Sequence, residues 1–111
     1  MARFHYVVLS RSKPGRQEEY ESWYVGRHLE DVCRIDGVVS AQFYRTCLQK
    51  VYDLDAPDWS HITVYELEAD DPQTVIDGIL AVSGSDAMPL SDALDKTGMV
   101  QVIGEPVGSH G

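Results

Sequence analysis

The chain has no apolar run approaching the roughly 20 residues that a membrane-spanning helix requires. Basic residues are scarce: nine Lys and Arg stand against eighteen Asp and Glu, a formal net charge of −9. No Lys/Arg cluster supplies the positive field that a phosphate backbone or an anionic bilayer surface needs, so nucleic acid and membrane are disfavoured as partners. Cysteine is limited to Cys33 and Cys47. Without CxxC spacing they read as free thiols or small core hydrophobes, not as a bridge or a zinc site. There is no glycine-rich phosphate loop, no GxSxG elbow and no HExxH pair. The opening residues run directly into a strand-like segment with no cleavage region of a signal peptide, so a cytoplasmic location is expected.

What is present is enough for a single core. A length of 111 residues leaves no room for two, with 1–105 as the domain and 106–111 as a loose tail in which His110 is set aside. Phe4 to Leu9 is rich in β-formers and reads as a strand buried on both faces. Pro14-Gly15 marks a turn, and a helix follows from about Arg16 to Arg34, with Glu18, Glu19 and Glu21 near its positive end and Asp36-Gly37 as its stop. Val38 to Tyr44 is the second strand, residues 48–60 form a polar connection, and His61 to Leu67 alternates as the third strand. Asp70-Asp71-Pro72 caps a second helix from about Pro72 to Val82. Leu90 to Lys96 is expected to form a further short helical turn, and Met99 to Ile103 the last strand.

This β-α-β-β-α-β order predicts an α+β, ferredoxin-like fold: a four-stranded antiparallel sheet with both helices on one face. The right-handed crossover rule leads us to expect strands one and three as parallel neighbours at the sheet centre. In that arrangement His5, Val7 and Leu9 share the helix-covered face with His61, Thr63, Tyr65 and Leu67. Phe4, Tyr6, Val8, Ile62 and Val64 then project from the bare face. An apolar face of that size implies a homodimer packed sheet to sheet.

The first helix carries the clearest chemical signal. Tyr20, Trp23, Tyr24 and His28 fall at helical spacing along one stripe, which suits a helix lying over a sheet with a small pocket beneath it. Running back along strand one, the helix brings His28 over the strand starts, so His28, His5 and His61 are expected to converge. Imidazoles titrate near neutral pH and suit general acid–base work, while Tyr65 or Tyr24 suits holding an enolate oxygen. Three imidazoles also bear on a metal, but no HxH or HxxxH pair fixes two ligands on one element, so no metal site is expected.

The pattern Glu18-Glu19-Tyr20-x-x-Trp23-Tyr24-x-x-x-His28, followed by Leu29 and the Gly37-Val38 strand start, resembles the EthD-like group of the dimeric α+β barrel superfamily. The resemblance implies a homodimer with a sheet–helix pocket in each subunit. The wider superfamily includes cofactor-free monooxygenases of phenols, muconolactone isomerases, polyketide cyclases and haem-handling enzymes. His5 opening strand one and Ser60-His61 opening strand three also look like a plant-type polyketide cyclase. That cyclase and the haem-handling branches use second-helix histidines, whereas this chain has no histidine between His61 and His110.

The functional expectation is therefore a small cofactor-independent enzyme of lyase, isomerase or dehydratase type. It acts by histidine-mediated proton transfer on a hydrophobic aromatic, polyketide-like or lactone metabolite. His28, His5, His61 and Tyr65 are the expected catalytic residues, and Tyr24, Trp23, Thr63, Val7 and Leu9 the expected substrate-binding ones. A cofactor-free monooxygenase of a phenolic substrate is the alternative, and a non-catalytic dimeric ligand-binding module the reading outside enzymology. A collapsed sheet–helix layer, with no cavity of roughly 300 Å3 at His28, is what that last reading predicts.

Overall fold

The computed structural model describes residues 2–111. Strand β1 spans Ala2–Ser12 and is followed by helix α1 (Gln17–Trp23), a π-helical turn (Tyr24–His28) and helix α2 (Leu29–Cys33), which run on as one rod. Strands β2 (Val38–Arg45) and β3 (His61–Ala69), helix α3 (Pro72–Val82) and strand β4 (Leu94–Gly104) complete the chain. The sheet has the order β2-β3-β1-β4, with every neighbouring pair antiparallel, which is the ferredoxin-like α+β arrangement.

Local chemistry accounts for the element ends. Asp71 caps α3 by accepting from the Gln73 amide, with Pro72 in the first turn where its missing N–H costs nothing. The rod ends at Gly37, whose φ of +95° suits glycine and whose Cβ, if present, would lie 2.6 Å from Val75 Cγ2. One core joins Phe4, Tyr6, Val8, Val32, Tyr65, Leu67, Val75 and Met88 between sheet and helices; a second, around Tyr20, Tyr24 and Ala93, lies under α1.

Three expectations are corrected. Strands β1 and β3 are antiparallel, not parallel, with Tyr6 opposite Tyr65 and Ser10 opposite His61. The crossover through the long rod joins β1 to β2, and the β2–β3 return places β3 between them with reversed direction. The faces of β1 are also exchanged. Phe4, Tyr6, Val8 and Ser10 are buried under the helices, while His5, Val7 and Leu9 point the other way with Ile62 and Val64. Because side chains alternate, pairing β1 with β3 one way rather than the other moves a whole set across the sheet. Finally, 90–96 forms no helical turn, and β4 begins at Leu94.

Candidate functional site

A cavity of about 260 Å3 opens between the sheet and the helices. Its floor is Tyr6, Val8 and Ser10 of β1 with Tyr65 of β3; its roof is Tyr20, Trp23, Tyr24 and His28; α3 and the segment after it close the side with Ile76, Ile79 and Met88. Strand β4 contributes Leu94, Lys96, Met99 and Gln101. The walls are largely apolar with a few convergent polar groups, the usual character of a small-molecule site.

His28 ends the π-helical turn. The Leu29 amide donates to the Tyr24 carbonyl, a wide i→i+5 bond that inserts one extra residue into the helix wall. The imidazole packs on Trp23 (ring centroids 4.5 Å) and edge-on to Tyr24 (4.9 Å). Its Nδ1 is buried with no hydrogen-bond partner. Burial in this apolar setting lowers its pKa from the ordinary 6.5 to about 4, and the Asp31 charge only partly offsets that. The Asp31 carboxylate is itself turned to Arg27, whose Nε donates to it at 2.8 Å, so it does not orient the ring. The result is a neutral imidazole at physiological pH.

Beside it stands a chain of hydroxyls. Thr63 Oγ1 donates to the Tyr24 hydroxyl at 2.8 Å, and the Tyr24 and Tyr65 hydroxyls lie 3.4 Å apart. Three O–H groups here make two bonds, so one phenolic proton of the Tyr24–Tyr65 pair is left for a ligand. Burial raises the pKa of Tyr24 and Tyr65, and that of Tyr6 to about 12, so all three remain protonated donors at neutral pH. Tyr6 stacks on Tyr65 at 5.4 Å, and Tyr20 donates to Ser10 Oγ at 2.7 Å; both fix the floor. Trp23 donates its indole N–H to the Pro89 carbonyl, tying the roof to the segment beyond α3.

Of the expected site residues, His28, Tyr24, Trp23 and Tyr65 are brought together. Thr63 acts through Tyr24. The three imidazoles do not converge. His5 lies on the far face opposite Glu66, five residues along β3 from His61, or roughly 17 Å at the rise of a strand. Val7 and Leu9 share that far face and line no part of the cavity. His61 is on the helix side but fully buried behind Phe43, on which it stacks at 5.0 Å, while Phe43 stacks in turn on Tyr24 at 4.1 Å. Its Nε2 meets Glu21 Oε2 at 2.7 Å and its Nδ1 meets Ser60 Oγ at 2.7 Å. Hydrogen bonds from Arg45 and His61 hold the Glu21 carboxyl down at about 2. The carboxylate accepts only, so Nε2 carries the proton; His61 is a fastener between the rod and β3 rather than a cavity group.

Sequence reasoning missed Tyr6, Ser10, Lys96, Met99 and Gln101. Tyr6 was expected on the other face of β1, and Ser10 is the last helix-side position of a strand that runs on beyond the expected Leu9. Lys96 was expected in a helical turn, and Met99 and Gln101 in the last strand with no site role.

No protein-family profile and no curated protein matches this sequence. Solved structures do match its fold. A crystal structure of an ethyl tert-butyl ether D (EthD) family protein from Bacillus halodurans C-125 superposes with a TM-score of 0.60 at 16% identity, covering 95% of this chain and 99% of that one. A candidate monooxygenase from Shewanella loihica PV-4 gives 0.63 at 10% identity, with 97% of each chain covered. The fold is thus shared with an EthD family protein, the group the first-helix pattern resembles, and with a candidate monooxygenase.

Proposed function

We propose that this EthD-like chain is a small cofactor-independent enzyme that removes a proton from a hydrophobic, enolisable or phenolic molecule. The observation that carries the reading is a neutral imidazole and an unspent phenolic proton of the Tyr24–Tyr65 pair lining one apolar cavity. His28 accepts the substrate proton. The oxyanion that develops is held by the free hydroxyl of the Tyr24–Tyr65 pair, in a site where water is largely displaced and hydrogen bonds are strong. A pKa near 4 makes His28 a weak base in the free protein, but an oxyanion alongside favours the imidazolium and raises it as the proton moves. Return of the proton to another carbon gives an isomerase, and loss of a leaving group gives a lyase or dehydratase.

The second reading is a monooxygenase of an electron-rich phenol, in which the same anion reacts with dioxygen. The fold shared with a candidate monooxygenase favours it. Both readings need the same first step. Incubation with 2-tetralone in D2O, followed by NMR, reads that step as deuterium entering beside the carbonyl. The wild type is expected to accelerate exchange above buffer and His28→Gln to abolish the acceleration while staying folded. Equal exchange with both proteins overturns the assignment, and leaves a binding module as the reading. Oxygen uptake without added flavin or metal then separates oxygenase from isomerase.

The far face of the sheet supports a homodimer. Val7, Leu9, Ile62, Val64 and Val100 lie there half-buried, beside the exposed Tyr44 and Val102. Such a patch is expected to be covered by a second copy, enclosing His5 at the interface. Light scattering should show a dimer that Val64→Lys converts to monomer; a monomeric wild type refutes this.

A further inference from the structure

Resting on the pocket assignment above, we propose that the ligand carries a carboxylate on a compact aromatic body, and that Lys96 selects for it. Among the described residues, Lys96 is the only Lys, Arg, Asp or Glu that lines the cavity. The chain's net charge is −9, yet among the described residues no carboxylate lines the same space. Its neighbour Asp95 is engaged elsewhere, accepting from Arg11 at 2.9 Å and from the Thr97 amide at 2.9 Å.

The backbone is shaped to present this lysine. The β1–β4 register breaks between Leu9 and Arg11, so Val100 pairs with Leu9 and Asp95 with Arg11, and an irregular stretch at 96–99 is left between them. A bulge of this kind re-aims side chains next to a site. Gly98 sits in it at φ +76°, and the extended 48–60 connection braces it from outside: Trp59 donates its indole N–H to the Gly98 carbonyl at 2.9 Å. Lys96 and Met99 both line the cavity as a consequence. Lys96, itself exposed, stands on the β4 wall of the cavity whose roof and floor hold His28, Tyr24 and Tyr65, so one ligand can meet both. The volume, near the low end of the roughly 300–1,000 Å3 common for ligand pockets, admits one or two rings.

The test compares 2-naphthoate with its neutral isostere 2-naphthamide by isothermal titration calorimetry. Wild type, Lys96→Met and Lys96→Arg are measured at low salt. An ion pair at a partly exposed wall is worth about fivefold in affinity. The wild type is expected to prefer the naphthoate by about that factor. The preference should fall to near unity in Lys96→Met, survive in Lys96→Arg, and weaken as salt is raised. Equal binding of the two compounds to the wild type, or a preference unchanged in Lys96→Met, overturns the lysine's role and leaves the aromatic pocket standing. Failure of both compounds to bind overturns the pocket reading and this proposal with it.

Discussion

Protonating His28 should weaken the fold, and the size of the effect follows from its setting. The ring has a pKa of about 4 in the folded chain against 6.5 when exposed. Between those values the unfolded chain binds a proton that the folded chain refuses, so stability rises with pH across this window and falls as pH drops through it. At about 1.36 kcal/mol per unit, the loss relative to pH 7 amounts to about 2 kcal/mol at pH 5 and about 3 kcal/mol at pH 4, at most. Urea unfolding followed by far-ultraviolet circular dichroism reads this directly. A small domain loses about 1–3 kcal/mol per molar urea, so the wild-type midpoint should fall by about 1 M or more between pH 7 and pH 5. Carboxylates contribute at low pH too, and the difference between wild type and His28→Gln removes them: the variant's midpoint should fall by clearly less between pH 7 and pH 5. Parallel pH dependence in the two proteins would refute the buried, unpartnered state of the ring.

Under the proposed proton transfer the same value sets the pH profile: kcat/KM should hold down to an acidic limb near pH 4, whereas a limb near 6.5 would mean a solvated imidazole. Tyr65→Phe removes one of two hydroxyls that share the free proton, and should lower kcat by roughly 10²-fold with little change in melting temperature. Glu21→Ala leaves the Nε2 of the fully buried His61 unpaired and should cost about 1–3 kcal/mol by urea titration at pH 7. Since the Glu21 carboxyl is lowered from 4.5 to about 2, its contribution is present above pH 4.5 and lost toward pH 2, so wild type and variant should converge there. Gly98→Ala combines a left-handed backbone with a Cβ 2.9 Å from Pro57 Cγ, and should cost about 1–2 kcal/mol while weakening any preference for anionic ligands.

Local signals in the sequence were reliable because their causes are local. The Asp71-Pro72 cap, the Gly37 stop and the Tyr20/Trp23/Tyr24/His28 stripe each depend on a few adjacent residues, and each appears where the pattern places it. The orientation of β1 against β3 depends instead on which strand the first crossover reaches. Assigning that crossover to the wrong partner reversed β3, and a register one residue off put His5, Val7 and Leu9 on the helix-covered face. The helix-side positions of β3 were unaffected, so Thr63 and Tyr65 stayed with His28 while His5 was lost from the group. The first half of β4 was illegible for another reason: Asp95-Lys96-Thr97-Gly98 has the composition of a turn, and only pairing with Arg11 and Ser12 makes it strand.

The wide turn at Tyr24–His28 makes the aim of the His28 ring depend on a single inserted residue. Excising one residue such as Gly26, whose flank is open, would close the wide Leu29–Tyr24 bond to the ordinary i→i+4 pattern, so the rod on either side would keep its place. Only the residues inside the turn, His28 among them, would be re-aimed. A one-residue deletion therefore tests the wide turn without disturbing Tyr20 and Trp23 before it. A Gly26-deleted chain that stays folded and still drives deuterium exchange would show that the wide turn is dispensable.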